Sequence, residues 1–146
     1  MKKEKKQFIM TMTSIQYADD EKTESVRDTE IEYYRDDDGD RVISYAESEA
    51  TGMEGSVTQV RVSPGDMVSI LRTGNFQTHL VVQTGRKHFC HYETPFGDFA
   101  VGVAARWVDN HLTDDGGSLT LRYTVDANST LLSDNEIRVA VRKLSV

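Results

Sequence analysis

Leu119-Thr120-Leu121-Arg122-Tyr123-Thr124-Val125-Asp126 alternates apolar and polar side chains without a break. Successive side chains of a strand point to opposite faces, so this octet is a strand with one face buried and one in water. Upstream, Phe99, Val101, Val103, Ala105 and Trp107 form a second stripe at the same spacing, with Arg106 on the opposite face. Segments 7–18, 23–35, 41–48, 56–63, 67–73, 76–84 and 86–94 read the same way, less cleanly. They are rich in Val, Ile, Thr, Tyr and Phe, which suit a pleated surface.

Turn signals separate these segments at hairpin spacing. They are Asp37-Asp38-Gly39-Asp40, Ser63-Pro64-Gly65-Asp66, Gly74-Asn75, Gly85-Arg86, Thr94-Pro95-Phe96-Gly97 and Asp114-Asp115-Gly116-Gly117. Glycine supplies positive φ, proline pre-sets φ, and Asp or Asn bonds back to the local backbone. Ser133-Asp134-Asn135-Glu136 has a capping-box pattern, and Ile137, Ala140, Val141 and Leu144 would make a helical stripe. Ile137, Val139 and Val141 also stand at strand spacing, and their β-branching favours a strand. An open sheet of this many strands would expose long edges, which closure removes. The expected fold is all-β, a single antiparallel meander barrel of eight to ten strands with at most one or two short helices.

Composition narrows the classes further. The 146 residues are enough for one core, with 38% hydrophobic and 28% charged residues. One cysteine excludes a disulfide framework and a four-thiolate zinc site. No apolar run approaches the roughly 18 to 20 residues of a membrane-spanning helix. Met1-Lys2-Lys3-Glu4-Lys5-Lys6 is basic, but no apolar stretch follows it, so it does not read as a signal peptide. Residues 1–6 are expected to be a disordered tail, 7–146 the barrel domain, and the cytoplasm its location. The net charge is −7, and residues 19–40 hold eleven acids against Lys22, Arg27 and Arg35. Such a surface repels phosphate backbones, so generic nucleic-acid binding is disfavoured. A homodimer is left open.

Three segments also carry a family resemblance. Thr51-Gly52-Met53-Glu54-Gly55-Ser56, Ile70-Leu71-Arg72-Thr73-Gly74 and Tyr92-Glu93-Thr94-Pro95-Phe96-Gly97 stand in an order and spacing that resembles the YwiB-like bacterial proteins. The Gly116-Gly117 hairpin leading into Leu119–Tyr123 fits as well, and the likeness runs from about Gln7 to about Leu144. It implies a calycin-like barrel, related in shape to lipocalins and fatty-acid-binding proteins. It implies no activity, since that family is of unknown function.

The obvious chemical motifs fail on inspection. Setting Gly39 at the sixth position of an EF-hand loop puts Tyr34 at the first and Tyr45 at the twelfth, where acids are required. Asp36–Asp40 is therefore a solvated turn. His88 and Cys90 share a strand face while His91 points the other way, and no third ligand or orienting acid is placed near them. His79 is expected in solvent and His111 in a loop. No cofactor or metal is expected, and no nucleophile–base–orienter set appears, which points away from an enzyme.

What remains is the inside of the barrel. Tyr33, Tyr45, Tyr92, Phe99, Trp107 and Tyr123 are read as facing inward, making an amphipathic wall. Either Met67 and Leu71 face inward and Arg72 lies on the surface, or Val68 and Ile70 do and parity sends Arg72 inward too. A guanidinium there needs a carboxylate, a phosphate or water. Two functions follow: a barrel binding a small amphipathic or anionic molecule, or a filled barrel whose outer face or acidic 19–40 region meets a protein partner.

Overall fold

A computed structural model describes residues 8–75, 77–94, 97–127 and 130–144, without the side chains of Ala50, Tyr92, Glu93, Thr94 and Phe99. The basic tail expected at 1–6, and the middle of the Thr94–Gly97 turn, lie outside the described residues. The alternating segments form ten strands: β1 (Phe8–Ala18), β2 (Glu21–Arg35), β3 (Arg41–Ala46), β4 (Ser56–Val62), β5 (Val68–Gly74), β6 (Thr78–Val82), β7 (Lys87–Thr94), β8 (Gly97–Thr113), β9 (Gly116–Ala127) and β10 (Thr130–Lys143). One 3-10 turn at Glu49–Thr51 is the only helical element among the described residues. The segment with the capping-box pattern is strand β10. Its β-branched side chains pack inward at period two, with Val139 and Val141 buried. No helix among the described residues is long and apolar enough to cross a membrane.

Each strand pairs antiparallel with the next, and β1 pairs with β10 to close the ring. That closing pair runs from Phe8 opposite Lys143 to Tyr17 opposite Asp134. The ring is uneven elsewhere. Among the described residues, 21–31 of β2 pair with β1 alone, because β3 reaches β2 through just four pairs, Glu32–Ser44 to Arg35–Arg41. Beyond those pairs the chain leaves β3 and runs through residues 47–55, opposite the upper part of β2 (residues 21–31) that pairs with β1. The β1–β2 hairpin turns at Asp19 and Asp20, both at positive φ (51° and 62°). This backbone matches the twist of a two-residue hairpin, and Asp tolerates it without glycine.

One end of the barrel is filled. Phe8, Met10, Tyr33, Val62, Val68, Val82, Leu119 and Val141 are buried there. The Phe8 and Tyr33 rings meet edge to face, with centroids 5.1 Å apart. At the other end the inward residues become polar: Ser56 and Thr58 on β4, Thr78 on β6, Ser133 and Asn135 on β10, all buried.

Candidate functional site

The alternation of β5 decides the direction of Arg72. Val68 is fully buried and Ile70 packs against the core, so Arg72, at the same parity, turns inward near the polar end. Its side chain is 11% exposed. The register sets Thr58 directly opposite, and Arg72 Nε donates to Thr58 Oγ1 at 3.2 Å. The Thr58 hydroxyl donates in turn to Glu47 Oε1 at 2.7 Å. Glu47 is the first residue beyond β3; its backbone N–H is held by the Ser56 carbonyl and its side chain, 2% exposed, folds under the loop. The Thr51 hydroxyl donates to the other carboxylate oxygen at 2.8 Å. Arg72 Nη2 stands 3.7 Å from Glu47 Oε1, an ion pair that is too long for a hydrogen bond. Arg72 Nη1 is buried and has no acceptor among the described residues.

This network borders a cavity of about 210 Å³ whose wall includes Arg27, Tyr45, Glu47, Thr51, Arg72 and Tyr123. Arg27 comes from upper β2 and Thr51 from the 47–55 loop, so both border the same cavity. Glycine fixes that loop. Gly74 sits at φ +115°, and a Cβ on it would lie 2.4 Å from the Gly55 carbonyl oxygen, which allows the loop to rest on the end of β5. Asn75 Nδ2 donates to the Glu54 carbonyl at 3.1 Å and ties it there. Burial pushes the Tyr45 hydroxyl pKa up to about 12, and the nearby Glu47 charge adds to this. Arg27, Arg72 and the Thr58 hydroxyl oppose the rise without cancelling it.

The expected interior residues divide. Arg72, Tyr45 and Tyr123 meet at the cavity. Tyr33 faces inward but belongs to the filled end, where its hydroxyl donates to the Thr113 carbonyl. The side chains of Tyr92 and Phe99 lie outside the described residues. Trp107 is a correction: it is 40% exposed and stands opposite Arg122 on the outer wall. The register of β8 shifts between Ala105 and Trp107, so Arg106 is an extra residue. A bulge of one residue reverses every face after it. Val101 and Val103 point in before the bulge; Val108 and Leu112 point in after it.

Three residues around the network were not among the sequence candidates: Glu47, Thr58 and Arg27. Glu47 falls within the segment 41–48 read as a strand and shares parity with Ile43 and Tyr45, although β3 itself ends at Ala46. Thr58 and Arg27 were legible in principle: Thr58 shares parity with Val60 and Val62, and Arg27 with Ile31 and Tyr33.

The rejected motifs have structural roles. The Asp36 carboxylate accepts from the backbone N–H of Asp38 and Asp40, both at 3.0 Å, and pairs with Arg61. His88 Nε2 and Gln83 Oε1 are 3.0 Å apart, and Cys90 Sγ accepts from the Val81 N–H at 3.4 Å. His79 and His91 are exposed. His111 is on strand β8 rather than in a loop, beside Asp109 at 2.7 Å. Among the described residues no group of three or more His, Cys, Asp and Glu side chains could hold a metal ion.

Comparison with known proteins agrees with this architecture. The structure is similar to the crystal structure of the ywiB protein from Bacillus subtilis, with a TM-score of 0.81 and 17% sequence identity over 96% of this chain and 93% of that one. At that identity the likeness concerns the fold alone. No curated protein matches the chain. Residues 9–139 match the model of the family described as Domain of unknown function (DUF1934). With most of its length inside that match, and with a closed ten-stranded barrel as its fold, the chain belongs to the DUF1934 family.

Proposed function

We propose that the protein binds a small anionic or amphipathic molecule in the polar end of the barrel, with Arg72 as its anchor and Tyr45 and Tyr123 as walls. The observation that carries this reading is Arg72 Nη1, buried beside a cavity without an acceptor among the described residues. A buried donor left unpaired costs about 1–3 kcal/mol, and an oxyanion entering the cavity would recover it. The guanidinium is already positioned by Thr58 and Glu47, so little ordering is needed on binding. At about 210 Å³ the cavity is below the roughly 300–1,000 Å³ of drug-sized sites, so the occupant is a small molecule. Isothermal titration calorimetry with small monoanions tests the reading, beside native mass spectrometry of the purified protein for a co-purifying molecule. Binding by the natural chain that falls at least tenfold in Arg72→Met supports it. Equal binding by both proteins, or none by either, overturns it.

The second reading is a protein-interaction module, and upper β2 favours it. Among the described residues, the backbone of 21–31 pairs on one side only, with β1, and the segment carries Glu21, Glu24, Asp28 and Glu30. An extended Lys- and Arg-rich segment could add to that edge, its backbone completing the ladder and its charges meeting the acids. Fluorescence anisotropy with a lysine-rich extended peptide, repeated with Glu24→Lys/Asp28→Lys, tests it. Affinity that is unchanged by the double substitution would count against the edge.

A further inference from the structure

We infer that the ligand is a monoanionic amphiphile, with its charged end at Arg72 and a short apolar tail passing Leu80 and Tyr123 into a second cavity. The inference rests on the small-molecule reading above and specifies its chemistry.

Charge comes first. The described side chains around the first cavity include two cations, Arg27 and Arg72, and one anion, Glu47. Glu47 is tied by two threonine hydroxyls, which fixes it in the wall. One positive charge is left over among the partly buried groups of the wall. A single negative charge on the ligand neutralises it, whereas a dianion brings back the cost of a buried unbalanced charge.

Shape comes second. Leu80 and Tyr123 line the first cavity and also a neighbouring one of about 260 Å³. The second cavity is walled mainly by Ala18, Leu80, Val101, Val125 and Leu132. Of its polar neighbours, Asn135 and Ser133 are bonded to each other at 2.9 Å. It therefore offers apolar surface and no charge. A molecule lying across both cavities meets a cationic chamber at one end and an apolar chamber at the other. The two small volumes cap the length of its tail.

Calorimetry on the full chain with butanoate, hexanoate, octanoate and dodecanoate, together with the matching alcohols and adipate, tests this. The expected result is tightening of about fourfold per added methylene until the apolar chamber is full, then a plateau or a loss. The alcohols and adipate are expected to bind at least tenfold more weakly than the monocarboxylates of matching length. Val125→Phe, which fills the second cavity only, should leave butanoate unchanged and abolish the gain with chain length. Should that variant fail to fold, Val125→Leu should shorten the optimal chain. Equal affinity for butanoate and octanoate overturns the tail while leaving anion binding intact. Adipate binding as tightly as hexanoate overturns the charge count. If no carboxylate binds at all, the small-molecule reading itself falls.

Discussion

Thr58 and Arg72 face each other across the β4–β5 pair, and the guanidinium Nε donates to the threonine hydroxyl at 3.2 Å. That hydroxyl links the arginine to Glu47, to whose carboxylate it donates in turn at 2.7 Å. Thr58→Val keeps the β-branched shape and removes the link. It is expected to lower stability by about 1–3 kcal/mol, because a donor and an acceptor lose their partner in a buried site. Urea denaturation of Thr58→Val, Glu47→Gln and Thr58→Val/Glu47→Gln, read with the natural chain as a double-mutant cycle, checks it; strictly additive losses would show that Thr58 and Glu47 do not act together.

Breaking the ion pair from one side is expected to be worse than removing it. Glu47→Gln leaves the Arg72 charge buried without its counter-ion, at a cost of about 3 kcal/mol. Glu47→Gln/Arg72→Met removes both charges and should recover most of that loss. Thermal unfolding of the two proteins decides the order. A double variant less stable than the single one would contradict the buried-pair account.

Tyr45 predicts a pH dependence. Its folded pKa is about 12, and an unfolded tyrosine titrates near 10. Between those values the unfolded chain gives up a proton that the folded chain keeps, so stability falls as pH rises through this window. The loss assigned to this group is of order 2 kcal/mol. Tyr45→Phe should flatten that part of the profile when urea midpoints are compared from pH 9 to pH 11.5. An unchanged alkaline slope would locate the cause elsewhere.

Trp107 is the sole tryptophan, and the bulge at Arg106 puts it outside. Its native emission is expected to be red-shifted, readily quenched by acrylamide, and insensitive to any molecule bound inside. Blue-shifted, protected emission would mean that β8 keeps its alternation straight through residue 106.

How far the sequence revealed the molecule depended on whether period two was intact. From Val68 through Arg72 parity offered two faces, Val68 with Ile70 or Met67 with Leu71, and the structure takes the first, which carries Arg72 inside the barrel. One extra residue in β8 was enough to send Trp107 the wrong way, because a bulge leaves no mark in the alternation of Phe99 to Trp107. The Asp19–Asp20 turn was hidden for a related reason, since it adopts positive φ without glycine. Glu47 shared the parity of Ile43 and Tyr45 within 41–48, but the partners of its carboxylate, Thr51 and Thr58, come from the packing of the loop beyond β3 on β4, which no local pattern encodes. Thr58 was within reach, as a polar residue at inward parity among valines, and it is the natural companion of a buried arginine.

The pairing of Phe8 with Lys143 sets an order for events on the ribosome. Each internal hairpin can form as its two strands emerge, since its partners are neighbours in the chain. β1 is made first and has β2 on one flank, but the other flank waits for β10. Throughout synthesis of the intervening strands the nascent sheet has an unsatisfied border at each side, one of them always the oldest strand. Phe8, Met10 and Met12, which supply part of the finished core, are exposed to water or to chaperones during that interval. Ring closure is thus a late step that depends on strand β10, and truncation within β10 would leave a curved, sticky ribbon in place of a shorter barrel.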